Sequence, residues 1–108
     1  VQRSTLFYIH IALHFIVPAI VTFLFFRKKW QPAYVVMVAA MLVDVDHLLA
    51  NPVCDPGRCS IGFHPLHGAI PIIIYALLFA YSKTRIVGLG LLIHMALDAI
   101  DCILIANA

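Results

Sequence analysis

The sequence predicts an all-α integral membrane protein, a four-helix bundle that forms a single domain over residues 1–108. Of the 108 residues, 64% are hydrophobic and only 11% are charged, a balance far from that of soluble domains. Four apolar stretches, each near the ~20 residues that cross a bilayer, take up most of the chain. The net charge of +2 is too small and too scattered to indicate nucleic acid. Lipid is therefore the expected surrounding of most side chains.

The predicted helices are residues 6–26, 33–50, 66–82 and 86–106. Pro32 comes just before the second helix, and Asn51-Pro52 with the turn sequence that follows ends it. Pro18 and Pro71 lie inside apolar stretches, where neighbouring helices can satisfy the freed backbone carbonyls, so they predict kinks and not breaks. The only substantial loop is residues 51–65.

The distribution of basic residues predicts the orientation. Arg27-Lys28-Lys29 follows the first helix, and Lys83 and Arg85 separate the third helix from the fourth. In a four-span protein these two connections share a side. The positive-inside rule then puts both termini and the loop of residues 51–65 on the outer side of a bacterial-type inner (cytoplasmic) membrane.

Two of the three cysteines flank a turn. Cys54 and Cys59 bracket Asp55-Pro56-Gly57-Arg58, which predicts a disulfide that closes the outer loop in an oxidising compartment. A CxxxxC metal pair and an unpaired turn are the alternatives. Cys102 lies in the last apolar stretch and is interpreted as a small buried residue and not as a ligand.

Aspartates occur where lipid should exclude them. All five acids of the chain are aspartates, and four of them lie within or at the ends of apolar stretches: Asp44, Asp46, Asp98 and Asp101. An ionised carboxylate at membrane depth costs at least ~2.5 kcal/mol. Because the Lys and Arg residues lie in loops or near the N-terminus, bound cations are the simplest counter-charge.

Six histidines accompany these aspartates. HIALH places His10 and His14 four residues apart on one helix face, which suits two ligands of one ion, although interhelical hydrogen bonding is the commoner role of such a pair. DVDH contains Asp44, Asp46 and His47 at the outer end of the second helix, where a solvated helix end is the alternative.

The remaining two motifs precede the third helix and lie in the fourth. HPLHG contains His64 and His67, and its proline suits the first turn of the third helix; histidines at a helix entry are the alternative. HMALDAID puts His94, Asp98 and Asp101 on one stripe of the fourth helix. Polar contact between helices would explain a stripe of Ser, Thr or Asn better than one of carboxylates and an imidazole.

The four motifs are predicted to lie at similar depths below the outer membrane face, which indicates that they form one site. At ~1.5 Å of rise per residue, every motif lies in the outer half of its helix, although alternate helices run in opposite directions. Motifs placed independently would scatter over both halves, so we expect one shared metal site. Its predicted ligands are His10, His14, Asp44, Asp46, His47, His64, His67, His94, Asp98 and Asp101.

The donor set predicts which metal is bound and what it does. Nitrogen and oxygen ligands without an assured thiolate suit Zn²⁺ first, with Mn²⁺ or Fe²⁺ as alternatives, and ten candidates are more than one ion needs. Two ions would activate water and hold the attacking and leaving oxygens of a phosphoester. Because the chain has no Glu, the general base must be an aspartate, a histidine or metal-bound hydroxide, and Asp44 or Asp46 is the predicted catalytic residue.

HIALH, LVDVDHLL, HPLHG and HMALDAID, spread over nearly the whole chain, resemble the motifs of the YdjM-like family of inner-membrane metal-dependent hydrolases. That family typically shows PDxDH-like, HRGxTHS-like and late HxxxD elements; here Val43 stands in place of the proline and HPLHG replaces the second element. The late HxxxD with the earlier Asp and His elements is also similar to the zinc phospholipase C and P1-type nuclease superfamily. These resemblances imply a hydrolase, the second of them one that acts on phosphoesters.

The favoured hypothesis is a membrane-embedded metal-dependent hydrolase that cleaves a phosphoester of a lipid or lipid-linked substrate, because the ligands lie near headgroup depth. Metal binding or transport is the alternative, and it predicts ligands toward the inner face, where the sequence has almost none. A third hypothesis is a di-iron lipid oxidase, but those sites resemble histidine-rich HxxxH and HxxHH boxes. Membrane lipid is the expected partner, and the sequence leaves a homo-oligomer open.

Overall fold

The architecture is all-helical. A computed structural model of the chain describes residues 3–51 and 58–107, and these residues contain helices and no strands. The α-helices are α1 (Arg3–Phe25), α2 (Trp30–Ala39), α3 (Ala69–Ala80) and α4 (Arg85–Ala106). The other helical segments have the 3₁₀ form: Arg27–Lys29, Ala40–Leu49, Pro65–His67 and Ser82–Thr84. The predicted all-α class is confirmed for the described residues.

Three helical segments are long and apolar enough to cross a membrane: Ser4–Phe25, Arg27–Leu49 and Ser82–Ala106. Helix α3 is apolar but has only 12 residues, and at about 1.5 Å per residue its length of about 18 Å is less than the ~30 Å hydrocarbon core. Of the four expected spans, three therefore have the necessary length. Leu24, Ile70 and Ile103 are each more than half exposed, as are many other large apolar side chains, which gives the bundle a surface suited to lipid.

The second predicted helix, residues 33–50, is wrong in form, because α2 ends at Ala39 and a ten-residue 3₁₀-helix follows. Such long 3₁₀ runs are uncommon, since their hydrogen bonds are less well aligned. Buried residues recur here at every third position, at Ala40, Val43 and Asp46. With three residues per turn, Asp46 stays on the face of Ala40, whereas an α-helix would rotate it by about 120°. The 3₁₀ form thus keeps Asp46 directed into the bundle.

The third helix is shorter than the predicted residues 66–82. The backbone at Gly68 is extended, with φ −87° and ψ 179°, so the helical turn Pro65–His67 does not continue into α3. The Tyr75 hydroxyl donates to the Leu66 carbonyl at 2.8 Å and ties this turn to α3. Both histidines of HPLHG are therefore positioned by a turn and not by the helix itself.

Helix α4 is the central helix and packs against α1, α2 and α3. Two glycines of α4 allow its backbone to lie close to the backbones of α3 and α2. A Cβ on Gly88 would collide with the α3 backbone at Leu78 and Phe79, and one on Gly90 would lie 2.9 Å from the Cα of Met37 in α2. Small residues at helix crossings permit the van der Waals contact that holds helices together in lipid.

Arg27 and Arg85 lie at one end of the bundle, at the two helix connections that also contain Lys28, Lys29 and Lys83. The Nε–H of Arg27 donates to the Phe23 carbonyl of α1, and that of Arg85 donates to the Phe79 carbonyl of α3, both at 3.1 Å. These contacts satisfy carbonyls that a helix C-terminus leaves unpaired. Helices α1 and α3 end here, whereas α2 and α4 begin here. The opposite end therefore holds the start of α1, the end of α4, the turn before α3 and the ten-residue 3₁₀-helix Ala40–Leu49, called the 3₁₀-helix below.

A disulfide joins Cys59 to Cys102, with the two Cα atoms 4.8 Å apart. The expected Cys54–Cys59 bond is therefore wrong, because Cys59 is bonded to Cys102; Cys54 itself lies outside the described residues. Cys102, which was interpreted as a small buried residue and not as a ligand, is partly exposed and forms a disulfide. The fold brings the end of α4 against the segment before His64, and a disulfide depends on that spatial distance and not on spacing along the chain.

Candidate metal centre

The predicted ligands lie together at the end of the bundle opposite Arg27 and Arg85. All of them except Asp101 fall into three groups, and the donor atoms of each group lie within 4.8 Å of one another. The first group is His10, His14 and Asp98; the second is Asp44, His67, His94 and Asp98; the third is Asp46, His47 and His64. Because Asp98 belongs to two groups, the first and second form one continuous cluster. Each group can hold a divalent metal ion.

The first group joins α1 to α4. The four-residue spacing of His10 and His14 puts both rings on the face of α1 that meets α4. Asp98 Oδ1 lies 2.9 Å from His10 Nε2 and 3.3 Å from His14 Nε2. His14 Nδ1–H donates to the His10 carbonyl at 2.8 Å. In the neutral ring this leaves the lone pair on Nε2, the nitrogen that faces Asp98, as a metal ligand requires.

The second group is built by three elements around Asp98 Oδ2. The Nε2 atoms of His67 and His94 lie 3.0 and 3.3 Å from that oxygen. They also lie 3.1 and 3.0 Å from Asp44 Oδ1. His94 and Asp98 share a face of α4 because they are one helical turn apart, while the 3₁₀-helix supplies Asp44 and the turn before α3 supplies His67.

Asp46 links the second and third groups. Its Oδ2 accepts hydrogen bonds from His67 Nδ1–H at 2.9 Å and from the backbone N–H of Leu66 at 2.8 Å. Its Oδ1 lies 3.2 Å from Nδ1 of His47, whose ring stacks on His64 with the centroids 3.8 Å apart. When the ring nitrogen that does not bind the metal donates a hydrogen bond to a carboxylate, the tautomer and the orientation of the histidine are fixed. Asp46 is such a carboxylate for His67.

Asp101 is the one predicted ligand that no group contains, among the residues that the structure describes. Its carboxylate lies 4.0 Å from Nδ1 of His10, which is beyond hydrogen-bond distance. The structure therefore places Asp101 beside the cluster, at its edge on α4.

Buried polar atoms without a hydrogen-bond partner indicate that the cluster fits a metal. Within the described part of the chain these atoms are His14 Nε2, His64 Nε2, His94 Nδ1 and Asp98 Oδ2. Of these, His14 Nε2 and Asp98 Oδ2 lie 3.0–3.3 Å from oppositely charged partners without the geometry of a hydrogen bond. Leaving such an atom unsatisfied costs about 1–3 kcal/mol, so native proteins rarely do it. The three groups contain imidazoles and carboxylates but no Lys or Arg. A cation in the first group would contact His14 Nε2, and a cation in the second group would contact Asp98 Oδ2.

The histidines of the turn before α3 have perturbed pKa values. Burial lowers the pKa of His67, but the adjacent carboxylates of Asp44, Asp98 and Asp46 outweigh burial and raise it to about 10. Burial, together with the neighbouring His47, lowers the pKa of His64, which keeps that ring neutral at pH 7. The negative charge that attracts a proton to His67 would attract a divalent cation to the same place, with release of that proton.

The cluster is accessible from one side. The side chain of Asp44 is 36% exposed, and that of His47 is 23% exposed. The side chains of His67, His94 and Asp98 are exposed by 4% or less. Solvent can therefore reach the cluster next to Asp44.

Comparison with known proteins gives one family and no named relative. The family model DUF6122, described as a family of unknown function, matches residues 5–105. No curated protein and no solved structure matches the chain.

Proposed function

The chain belongs to the DUF6122 family, and we propose that it is a membrane-embedded hydrolase that cleaves a phosphoester with divalent metal ions held by the three groups. The observation that carries this proposal is Asp98, whose two oxygens face the histidine pairs of two adjacent groups. When bound at such a centre, metal ions activate water near neutral pH and stabilise the charge on phosphoester oxygens. A single structural ion would need only one of the groups.

Zinc is the proposed metal. The donors are imidazole nitrogens and carboxylate oxygens, which suit Zn²⁺, with Mn²⁺ or Fe²⁺ as alternatives. Cys59 and Cys102 are bonded to each other, so neither supplies a thiolate. A di-iron oxidase is less well supported, because each group contains a carboxylate beside its histidines and no HH pair occurs in the chain.

Asp44 is the proposed general base. Its side chain is the most exposed of the second group, so it can contact water and substrate, and a carboxylate there can accept the proton of the attacking water. Asp46 is less suited to that role, because it is buried and its Oδ2 already accepts two hydrogen bonds. We assign to Asp46 the positioning of His67.

We further propose that the cluster faces the outer side of a bacterial inner membrane. Five of the seven Lys and Arg residues are at the opposite end of the bundle, and this excess favours the cytoplasmic side for that end. The Cys59–Cys102 disulfide lies at the end with the cluster, and disulfides persist in oxidising compartments. Both observations support the same orientation.

Metal transport is less well supported than hydrolysis. A cavity of about 10 Å³ lies below His14 and His94, and it is otherwise lined by Pro18, Met37, Met41, Gly90, Ile93 and Leu97. Such a volume holds at most about one water molecule. These apolar side chains offer an ion no further oxygen or nitrogen ligands on a path toward the basic end.

The test is hydrolysis by the purified protein in nanodiscs, loaded with Zn²⁺ and supplied with aryl phosphate monoesters, diesters or phospholipids. We expect product release that a chelator abolishes and added Zn²⁺ restores. Asp44→Asn should lower kcat by about 10²–10⁴-fold. Asp101→Asn, the same change beside the cluster, should leave kcat close to that of the unchanged protein. If no substrate is cleaved with Zn²⁺, Mn²⁺ or Fe²⁺, the chain is a metal-binding protein and the hydrolase proposal fails.

A further inference from the structure

An apolar groove of about 240 Å³ lies between α2 and α4. Val36, Ala39 and Val43 form one wall, and Val87 and Leu91 form the other. The groove opens onto the lateral surface of the bundle, where Val87 is 43% exposed. Because the surrounding helical segments are those long enough to cross a membrane, the medium at this opening is lipid.

Both walls of the groove lie one helical turn from residues of the cluster. On α4, Val87, Leu91, His94 and Asp98 follow one another at intervals of four, three and four residues, so they form one stripe along the helix. On the 3₁₀-helix, Val43 and Asp46 share a face because they are one turn of three residues apart. Asp44 lies on the neighbouring face, about 120° around the 3₁₀-helix. The residues that line the groove belong to none of the three groups, but its α4 wall leads, one turn further on, to His94 of the second group.

We propose that the substrate is a membrane lipid with a phosphate ester in its headgroup, whose acyl chain lies in this groove while its phosphate contacts the second group. This inference rests on the proposed function, since the phosphate would bind the ions that the hydrolase requires. The arrangement matches an amphiphile: small and branched apolar side chains along the groove, and one helical turn beyond them a cluster whose cations complement an anionic phosphate. A soluble phosphoester would need the cluster but not the groove.

Groove and headgroup contribute differently to binding. An acyl chain that leaves the bilayer for the groove exchanges one hydrocarbon environment for another, so the hydrophobic effect adds little. The groove determines where the chain lies, and charge-assisted contacts to the phosphate supply the selectivity. Occupancy of the groove should therefore depend on the phosphate and on the metal.

Photo-crosslinking tests this dependence without requiring turnover. The probes are phosphatidic acid with a diazirine in its acyl chain and a diacylglycerol with the same chain, each in nanodiscs with the Zn²⁺-loaded protein. Mass spectrometry should locate the phosphatidic acid label at residues 36–43 and 87–91, in excess over diacylglycerol by about tenfold or more, the ratio expected of a charge-assisted contact. Chelation of the metal should remove that excess. Equal labelling by both probes, or labelling spread evenly over the exposed helix faces, would overturn the inference.

A pair of variants on α2 separates the groove from the general lipid surface. Ala39→Phe fills the groove, whereas Val35→Phe adds the same ring at a side chain that is 65% exposed outside it. We expect Ala39→Phe to abolish the excess label and to slow hydrolysis of phosphatidic acid, with bound Zn²⁺ and hydrolysis of a soluble aryl phosphate unchanged. Val35→Phe should change none of these. If Ala39→Phe leaves the excess label unchanged, or slows both substrates equally, the groove does not hold the chain.

The two proposals fail separately. Labelling that depends on Zn²⁺ and phosphate, together with no hydrolysis of any phosphoester, would contradict the proposed function but support lipid binding in the groove. Hydrolysis of soluble phosphoesters with no selective label in the groove would support the function but contradict the lipid substrate.

Discussion

At the scale of single residues, Asp98 has the central place in the cluster. Its Oδ1 faces His10 and His14 of α1, and its Oδ2 faces His67 and His94. A carboxylate that is only 3% exposed within a helix that can span a membrane needs such partners. The HxxxD spacing predicted that His94 and Asp98 share a face of α4. It did not predict the sharing of Asp98 between two groups, because spacing within one helix does not say which other helices meet it.

Replacing Asp98 should remove more metal than replacing one histidine. Asp98→Asn keeps the shape but removes the negative charge and one of the two acceptor oxygens, so the first and second groups both weaken. His14→Ala removes a donor from the first group alone. Elemental analysis of the Zn²⁺-loaded proteins should show a loss of about one ion per chain for His14→Ala and about two for Asp98→Asn. Equal losses in the two variants would mean that Asp98 does not serve two ions.

At the scale of secondary-structure elements, the 3₁₀-helix Ala40–Leu49 determines where the DVDH motif points. The boundaries of α1 and α4 were predicted within three residues, because Arg27-Lys28-Lys29 and Arg85 mark them clearly. The 3₁₀ form could not be predicted, since no Pro or Gly interrupts the apolar run of residues 33–50 and ten residues do not distinguish a period of 3.0 from one of 3.6. The hydrogen bonds from the turn before α3 to Asp46 were equally invisible in the sequence.

A one-residue insertion should test whether the 3₁₀ register positions the ligands. An alanine inserted between Ala40 and Met41 rotates the following residues by about 120° if the segment stays in the 3₁₀ form, so Asp44, Asp46 and His47 leave the cluster. The matched control is an alanine inserted after Ala50, beyond the segment. Circular dichroism should show similar helix content in both proteins, while elemental analysis should show zinc loss only for the first insertion. Retention of zinc after the first insertion would show that the register is not what positions these ligands.

At the scale of the whole molecule, the two ends of the bundle differ in chemistry. Five of the seven Lys and Arg residues lie at one end, the cluster of histidines and aspartates lies at the other end together with Arg58, and apolar surface lies between them. This asymmetry was predictable, because a motif's position along an apolar helix gives its depth once the helix directions alternate. The short α3 and the Cys59–Cys102 bond were not predictable. Both depend on how the segment before α3 packs against the end of α4, and neither hydropathy nor cysteine spacing contains that information.

The Cys59–Cys102 bond should stabilise both the bundle and the cluster. It connects the segment before His64 to α4 at one helical turn beyond Asp98, across a sequence separation of 43 residues. A cross-link over a loop of this size restricts the unfolded chain, and removing a native disulfide typically costs about 2–5 kcal/mol. Cys102→Ser should therefore lower the temperature of unfolding in detergent and weaken zinc binding by the second and third groups, to which the turn before α3 contributes.

Cys54→Ser is the matched control, because Cys54 is the remaining cysteine of the chain. If Cys59 pairs with Cys102, Cys54→Ser should change neither the unfolding temperature nor the zinc content, and peptide mapping without reductant should recover a fragment that joins Cys59 to Cys102. If Cys59 instead pairs with Cys54, the result inverts, and Cys54→Ser becomes the destabilising change while Cys102→Ser is neutral. The cluster would then depend on helix packing alone to keep the histidines of the turn before α3 against Asp98, and reduction of the protein would leave its zinc content unchanged.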